Sequence, residues 1–92
     1  MSIVVRFAPD SATSTEQYDE VIRLLEADGQ LSPDGQDYHV CFIADGNLRV
    51  SEIWDSQEQF EAHGQHLMPV LQQVGIDPGE PQVFEIHNVI KR

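Results

Sequence analysis

Residues 47–71, NLRVSEIWDSQEQFEAHGQHLMPVL, decide the fold. Asn47 to Trp54 alternates as a strand does, with Leu48, Val50, Glu52 and Trp54 on one side and Arg49, Ser51 and Ile53 on the other. Asp55 then offers an N-cap, with Glu58 as its capping-box partner. The helix that follows should run to about Val74, with Phe60, Gly64, Leu67, Leu71 and Val74 as its stripe and Gly75 as its stop. Pro69 falls inside it and predicts a kink or a restart.

Working back from Asn47, Asp45-Gly46 is a strong hairpin signal, so Tyr38 to Ala44 is the strand paired with Asn47 to Trp54. A two-residue turn sets His39 against Glu52, Cys41 against Val50 and Ile43 against Leu48, all on the side of Trp54. Tyr38, Val40 and Phe42 then share the opposite side with Arg49, Ser51 and Ile53. Before the hairpin, Leu31 to Asp37 is turn chemistry around Pro33-Asp34-Gly35. Further back, a helix is expected from about Thr15 to Ala27, stopped by Gly29. It is capped through Thr13-x-x-Glu16 or Ser14-x-x-Gln17, and its stripe is Tyr18, Val21, Ile22 and Leu25. Ile3 to Phe7 is a first strand, ended by Ala8-Pro9-Asp10. After the long helix, Asp77-Pro78-Gly79 turns the chain into a last strand over Gln82 to Ile90, leaving the tail Lys91-Arg92.

The order β-α-β-β-α-β is the ferredoxin-like, split βαβ arrangement of an α+β protein, with both helices on one face of a four-stranded antiparallel sheet. Residues 1–92 are expected to form a single domain. Each side of the central hairpin carries at least three apolar residues. Two helices cover one face, so a symmetric partner sheet is the economical cover for the other.

Composition narrows the function. Sixteen acidic against 5 basic residues give a net charge of −11, which disfavours nucleic acid and anionic membrane, since both need a cationic footprint. Hydrophobic residues at 40% fit a folded globular chain, and no stretch reaches membrane-spanning length. The beginning, MSIVVRFAPD, lacks the basic and apolar regions of a signal peptide, and a cytoplasmic location is expected. The single cysteine, Cys41, excludes an internal disulfide and sits mid-strand as a small apolar filler.

The segment Val50-Ser51-Glu52-Ile53-Trp54-Asp55-Ser56-Gln57-Glu58-Gln59-Phe60, together with the strand order, resembles the dimeric α+β barrel superfamily and its antibiotic-biosynthesis-monooxygenase-like branch. That resemblance implies a homodimer built from two packed sheets and, in some members, quinone-forming oxygenation without a cofactor. Haem-degrading members place an Asn on the first strand, a Trp early in the second helix and a His beyond it. Aligned on Trp54, this chain has Arg6, His63 and Gln73 there, so their site does not carry over.

Four histidines, the acidic residues and Trp54 supply the candidate chemistry. Glu52 opposite His39 can orient the imidazole and fix its tautomer, making a general base; the plainer use is a cross-strand polar pair that stabilises by up to about 1 kcal/mol. His63 and His66, three apart, differ in direction by about 60° on a helix and are weak metal candidates; His63 suits a pocket better. The expected site therefore combines His39, Glu52 and His63 as catalytic candidates with Trp54, Tyr18, Phe60 and Leu67 around a small-molecule pocket. No bound cofactor is expected. The preferred function is a cofactor-independent monooxygenase-like enzyme for an aromatic or polyketide-like compound. The alternatives are a non-enzymatic ligand-binding or stress-response module and a divalent-metal protein. A pocket beside Trp54 lined by at least two titratable side chains separates the first from the second.

Overall fold

The computed structural model describes residues 2–9 and 13–91. In chain order the elements are β1 (Ile3–Phe7), α1 (Thr15–Ala27), β2 (Gln36–Ala44), β3 (Asn47–Trp54), α2 (Gln57–Val74) and β4 (Gln82–Glu85). The strands form one antiparallel sheet in the order β2-β3-β1-β4, and both helices lie against one face of it. This is the expected ferredoxin-like α+β arrangement. Asp10 of the run expected to end β1, and Arg92 of the tail, lie outside the described residues.

The hairpin register follows from its turn. Asp45 and Gly46 both take positive φ, 54° and 78°, the primed geometry whose twist matches the flanking strands. His39 therefore pairs with Glu52, Cys41 with Val50 and Ile43 with Leu48. A bulge between Gln36 and Tyr38 then shifts the register, so that Gln36 faces Trp54. β2 thus starts two residues earlier than the sequence suggested.

Three further local details differ from expectation. Ser56, not Asp55, caps α2: its hydroxyl accepts the Gln59 N–H at 3.2 Å. Asp55 lies one residue before the cap, and its own N–H donates to the Gly35 carbonyl at 2.8 Å. α2 runs through Pro69 as one element. β4 ends at Glu85 rather than Ile90, because Glu85 pairs with Ile3 at the start of β1. Beyond that pair the Ser2 carbonyl accepts one more bond, from Ile86 N–H at 3.2 Å.

α1 behaves as read: Ser14 and Gln17 form the reciprocal capping box, and Gly29, with φ 73°, ends the helix. Two apolar clusters hold the layers together. Val21 and Leu25 of α1 pack on Val70 and Leu71 of α2, while Ile3, Val5 and Trp54 of the sheet pack against Phe60. Between them the helices and sheet stand apart, and the space left is the cavity described next. On the other face Tyr38, Phe42 and Phe84 are exposed, with Val4, Val40 and Ile53 half-buried among them.

Candidate functional site

A cavity of about 460 Å³ opens between the helices and the helix-facing side of the sheet. Its walls are largely apolar, with Phe7, Ile22, Leu25, Leu48, Leu67 and Leu71 among them. Tyr18, Asp19, Gln36, His39, Glu52 and His63 also line it. The strand alternation of β3 and the hairpin register bring Glu52 and His39 to this face, and the inward stripe of α1 brings Tyr18 above them.

Glu52 is the centre of the polar wall. It is only 3% exposed, yet its carboxylate takes three hydrogen bonds. Oε1 accepts the Trp54 indole N–H at 3.0 Å, and Oε2 accepts the Gln36 amide at 3.0 Å and His39 Nδ1 at 2.6 Å. A carboxylate can only accept, so His39 Nδ1 donates to it, leaving Nε2 to accept the Tyr18 hydroxyl proton at 2.7 Å. The result is a continuous chain from Tyr18 through His39 to Glu52, braced by Gln36 and Trp54. Burial, then the nearby Cys41 and Glu52, push the Tyr18 phenol up to about 12, so it stays protonated near neutrality.

His63 enters from α2. Its ring centroid is 5.4 Å from that of Trp54, it is 5% exposed, and Nδ1 has no hydrogen-bond partner among the described residues. Burial holds its pKa below the ordinary histidine value, with the charge of Glu52 opposing that shift, so the imidazole is neutral around pH 7. The α2 stripe is consequently Phe60, His63, Leu67, Val70, Leu71 and Val74; His63 takes a core position although it was left out of the stripe read from the sequence. His66 is exposed on the same helix. Among the described residues no group of three or more His, Cys, Asp or Glu side chains could hold a metal ion.

The expected residues therefore divide into two layers. Tyr18, His39, Glu52, His63 and Leu67 line the cavity. Trp54 is fully buried behind that wall and Phe60 packs edge-on against it, and neither is among the residues that line the cavity. Gln36 was missed. Its placement depends on the β2 bulge, for which the sequence carries only the preceding Gly35 as a signal; Gly35 takes φ 88°, and a side chain there would collide with Gln59. Tyr18 was expected at the pocket, but its hydrogen bond to His39 was not. The available signal was that it is the one polar-tipped residue in the stripe of α1.

No protein-family model matches the sequence, and no curated protein matches it. Solved structures do. The structural-genomics protein YJCS superposes with a TM-score of 0.65 at 13% identity, over 95% of this chain and all (100%) of that one. SnoaB from Streptomyces nogalater, a cofactor-independent oxygenase, superposes at 0.62 with 15% identity, covering 99% of this chain and 96% of its own. A Deinococcus radiodurans protein, provisionally called an antibiotic biosynthesis monooxygenase, superposes at 0.61 with 15% identity over 100% and 98%. At such identities the likeness is one of fold: this chain has the ferredoxin-like fold of antibiotic-biosynthesis-monooxygenase-like proteins.

Proposed function

We propose that this chain binds a hydroxylated aromatic or polyketide-like compound in the cavity and oxygenates it without a bound cofactor. The observation that carries this reading is the Tyr18–His39–Glu52 chain set into an apolar wall. Such a chain can take a proton from an acidic C–H or phenolic O–H: the proton passes to the Tyr18 oxygen as the Tyr18 proton passes to His39 Nε2. Glu52 remains the counter-charge of the imidazolium. Tyr18 only relays, since burial disfavours its phenolate. The substrate anion left behind is electron-rich enough to reduce dioxygen itself. Oxygen then bonds to the substrate carbon, and loss of water leaves a carbonyl. All the electrons come from the substrate, so no external reductant is required.

The fold shared with SnoaB supports this reading. So does the cavity's makeup, with titratable groups from the sheet and both helices set among apolar side chains. The same apolar walls favour the second reading, a non-enzymatic ligand-binding module, in which ligand binds and is released unchanged. Oxygen uptake by chelator-treated protein with anthrone as probe separates the two. Turnover would consume one dioxygen per anthraquinone formed, and binding without oxygen uptake would overturn the enzymatic reading.

We further propose that residues 1–92 act as a single domain that assembles as a homodimer, its sheets packed through the face bearing Tyr38, Phe42 and Phe84. An exposed apolar patch of that kind is uncommon on a monomer of this size. Light scattering at micromolar protein should give twice the 10.4 kDa chain mass. A 10.4 kDa particle would contradict the dimer.

A further inference from the structure

Glu52 and His63 are the two buried polar side chains among the described residues, and both line the cavity. Glu52 is saturated by three donors, whereas His63 Nδ1 is sealed from solvent with no partner. A neutral imidazole carries one N–H and one lone pair, so either tautomer leaves an unmet need at that atom. Orphaned buried groups of this kind are uncommon in folded proteins, because each forfeits a hydrogen bond it had in water. The ring borders open space on its cavity side, so a ligand is the partner within reach. Because Nδ1 is itself sealed, the ligand meets it after the half-turn of the ring that exchanges Nδ1 with Cδ2.

The charge around the cavity restricts what that ligand can be. Among the described residues its lining includes Asp19 and Glu52 and contains no lysine or arginine, and the whole chain carries a net charge of −11. An anion placed there would face two carboxylates with no cation to offset them, and would also lose its own hydration. An uncharged oxygen fits on both counts.

We propose that His63 is a specificity-determining residue that accepts or donates one hydrogen bond to a hydroxyl or carbonyl oxygen of an uncharged, largely apolar ring compound, and that the acidic lining excludes carboxylate analogues. This inference rests on the cavity being the substrate site proposed above. The lowered pKa of His63 keeps its imidazole neutral, the form that can accept from a hydroxyl as well as donate to an oxygen.

Calorimetric titration at neutral pH with naphthalene, 2-naphthol and 2-naphthoate tests it in the full chain, alongside His63→Phe. In wild type, 2-naphthol should bind about tenfold more tightly than naphthalene, and 2-naphthoate should bind most weakly. In H63F the naphthol advantage should fall to within about twofold while naphthalene binding is retained. Imidazole nitrogen NMR of wild type gives an answer independent of any variant. The His63 ring signals should shift saturably with 2-naphthol and not with naphthalene. Equal shifts with both, or an undiminished naphthol advantage in H63F, would overturn the role of His63 and leave the proposed reaction standing. Tight naphthoate binding would overturn the charge exclusion. No binding of any probe would overturn both the inference and the cavity as a ligand site.

Discussion

The sheet side and the helix side of the cavity solve the same problem in opposite ways. On β3, Glu52 is buried as a charge and surrounded by three donors from Gln36, His39 and Trp54. On α2, His63 is buried as a neutral ring and left short of a partner. The first arrangement is complete without a ligand, so its geometry is fixed before substrate arrives. The second is incomplete, so ligand has something to gain there. A site needs both: a rigid group that moves the proton and an unsatisfied one that rewards the correct ligand.

Stability should separate the two most sharply. Glu52→Leu removes the acceptor shared by three donors, of which the Trp54 indole is fully buried, and is expected to cost about 1–3 kcal/mol in urea unfolding. If E52L instead unfolds near the wild-type midpoint, the network is not holding the strand pair and the cavity wall together. His63→Phe trades an unpartnered polar ring for an apolar one of similar size. It should shift stability by no more than about 1 kcal/mol in either direction.

Titration supplies the finer contrasts. The Tyr18 pKa is raised in the folded chain from 10.0 to about 12. The folded state therefore keeps its proton where the unfolded state loses it, and this contribution to stability is present below pH 10 and lost as pH rises towards 12. An ultraviolet alkaline titration should show phenolate forming near pH 12 in wild type and lacking that component in Tyr18→Phe. The His63 pKa is lowered from 6.5, so the unfolded state binds its proton first. Stability from this group is full above pH 6.5 and declines as pH falls below it. H63F should flatten that acid limb, and an unchanged limb would show that His63 is not held neutral by burial.

Most of the fold was legible because local rules agreed with one another. Asp45-Gly46 set the hairpin, the hairpin set the His39–Glu52 pair, and the alternation of β3 put both on the side of Trp54. What escaped depended on contacts between elements distant in sequence. Asp55 has the chemistry of a cap, but the helix starts one residue later at Ser56, and the Asp55 N–H bonds to Gly35, distant in sequence. The alternation of β4 continues past Glu85, but its pairing with β1 ends at the Ile3–Glu85 pair. Tyr18 reads as core from the periodicity of α1; only the helix-over-sheet packing shows its hydroxyl meeting His39. The orphaned nitrogen of His63 has no trace in the sequence at all, since it is defined by what the other elements fail to supply.

The division of labour between the two walls is tested most directly by steady-state kinetics on one substrate, anthrone, with His39→Gln and His63→Phe side by side. H39Q should lower kcat by about 10²–10⁴ with little change in KM, because proton transfer fails after binding. H63F should raise KM by up to about tenfold while kcat stays within a few-fold of wild type. A wild-type kcat in H39Q would contradict the account, because the Tyr18–His39–Glu52 chain would then not be the path of the proton.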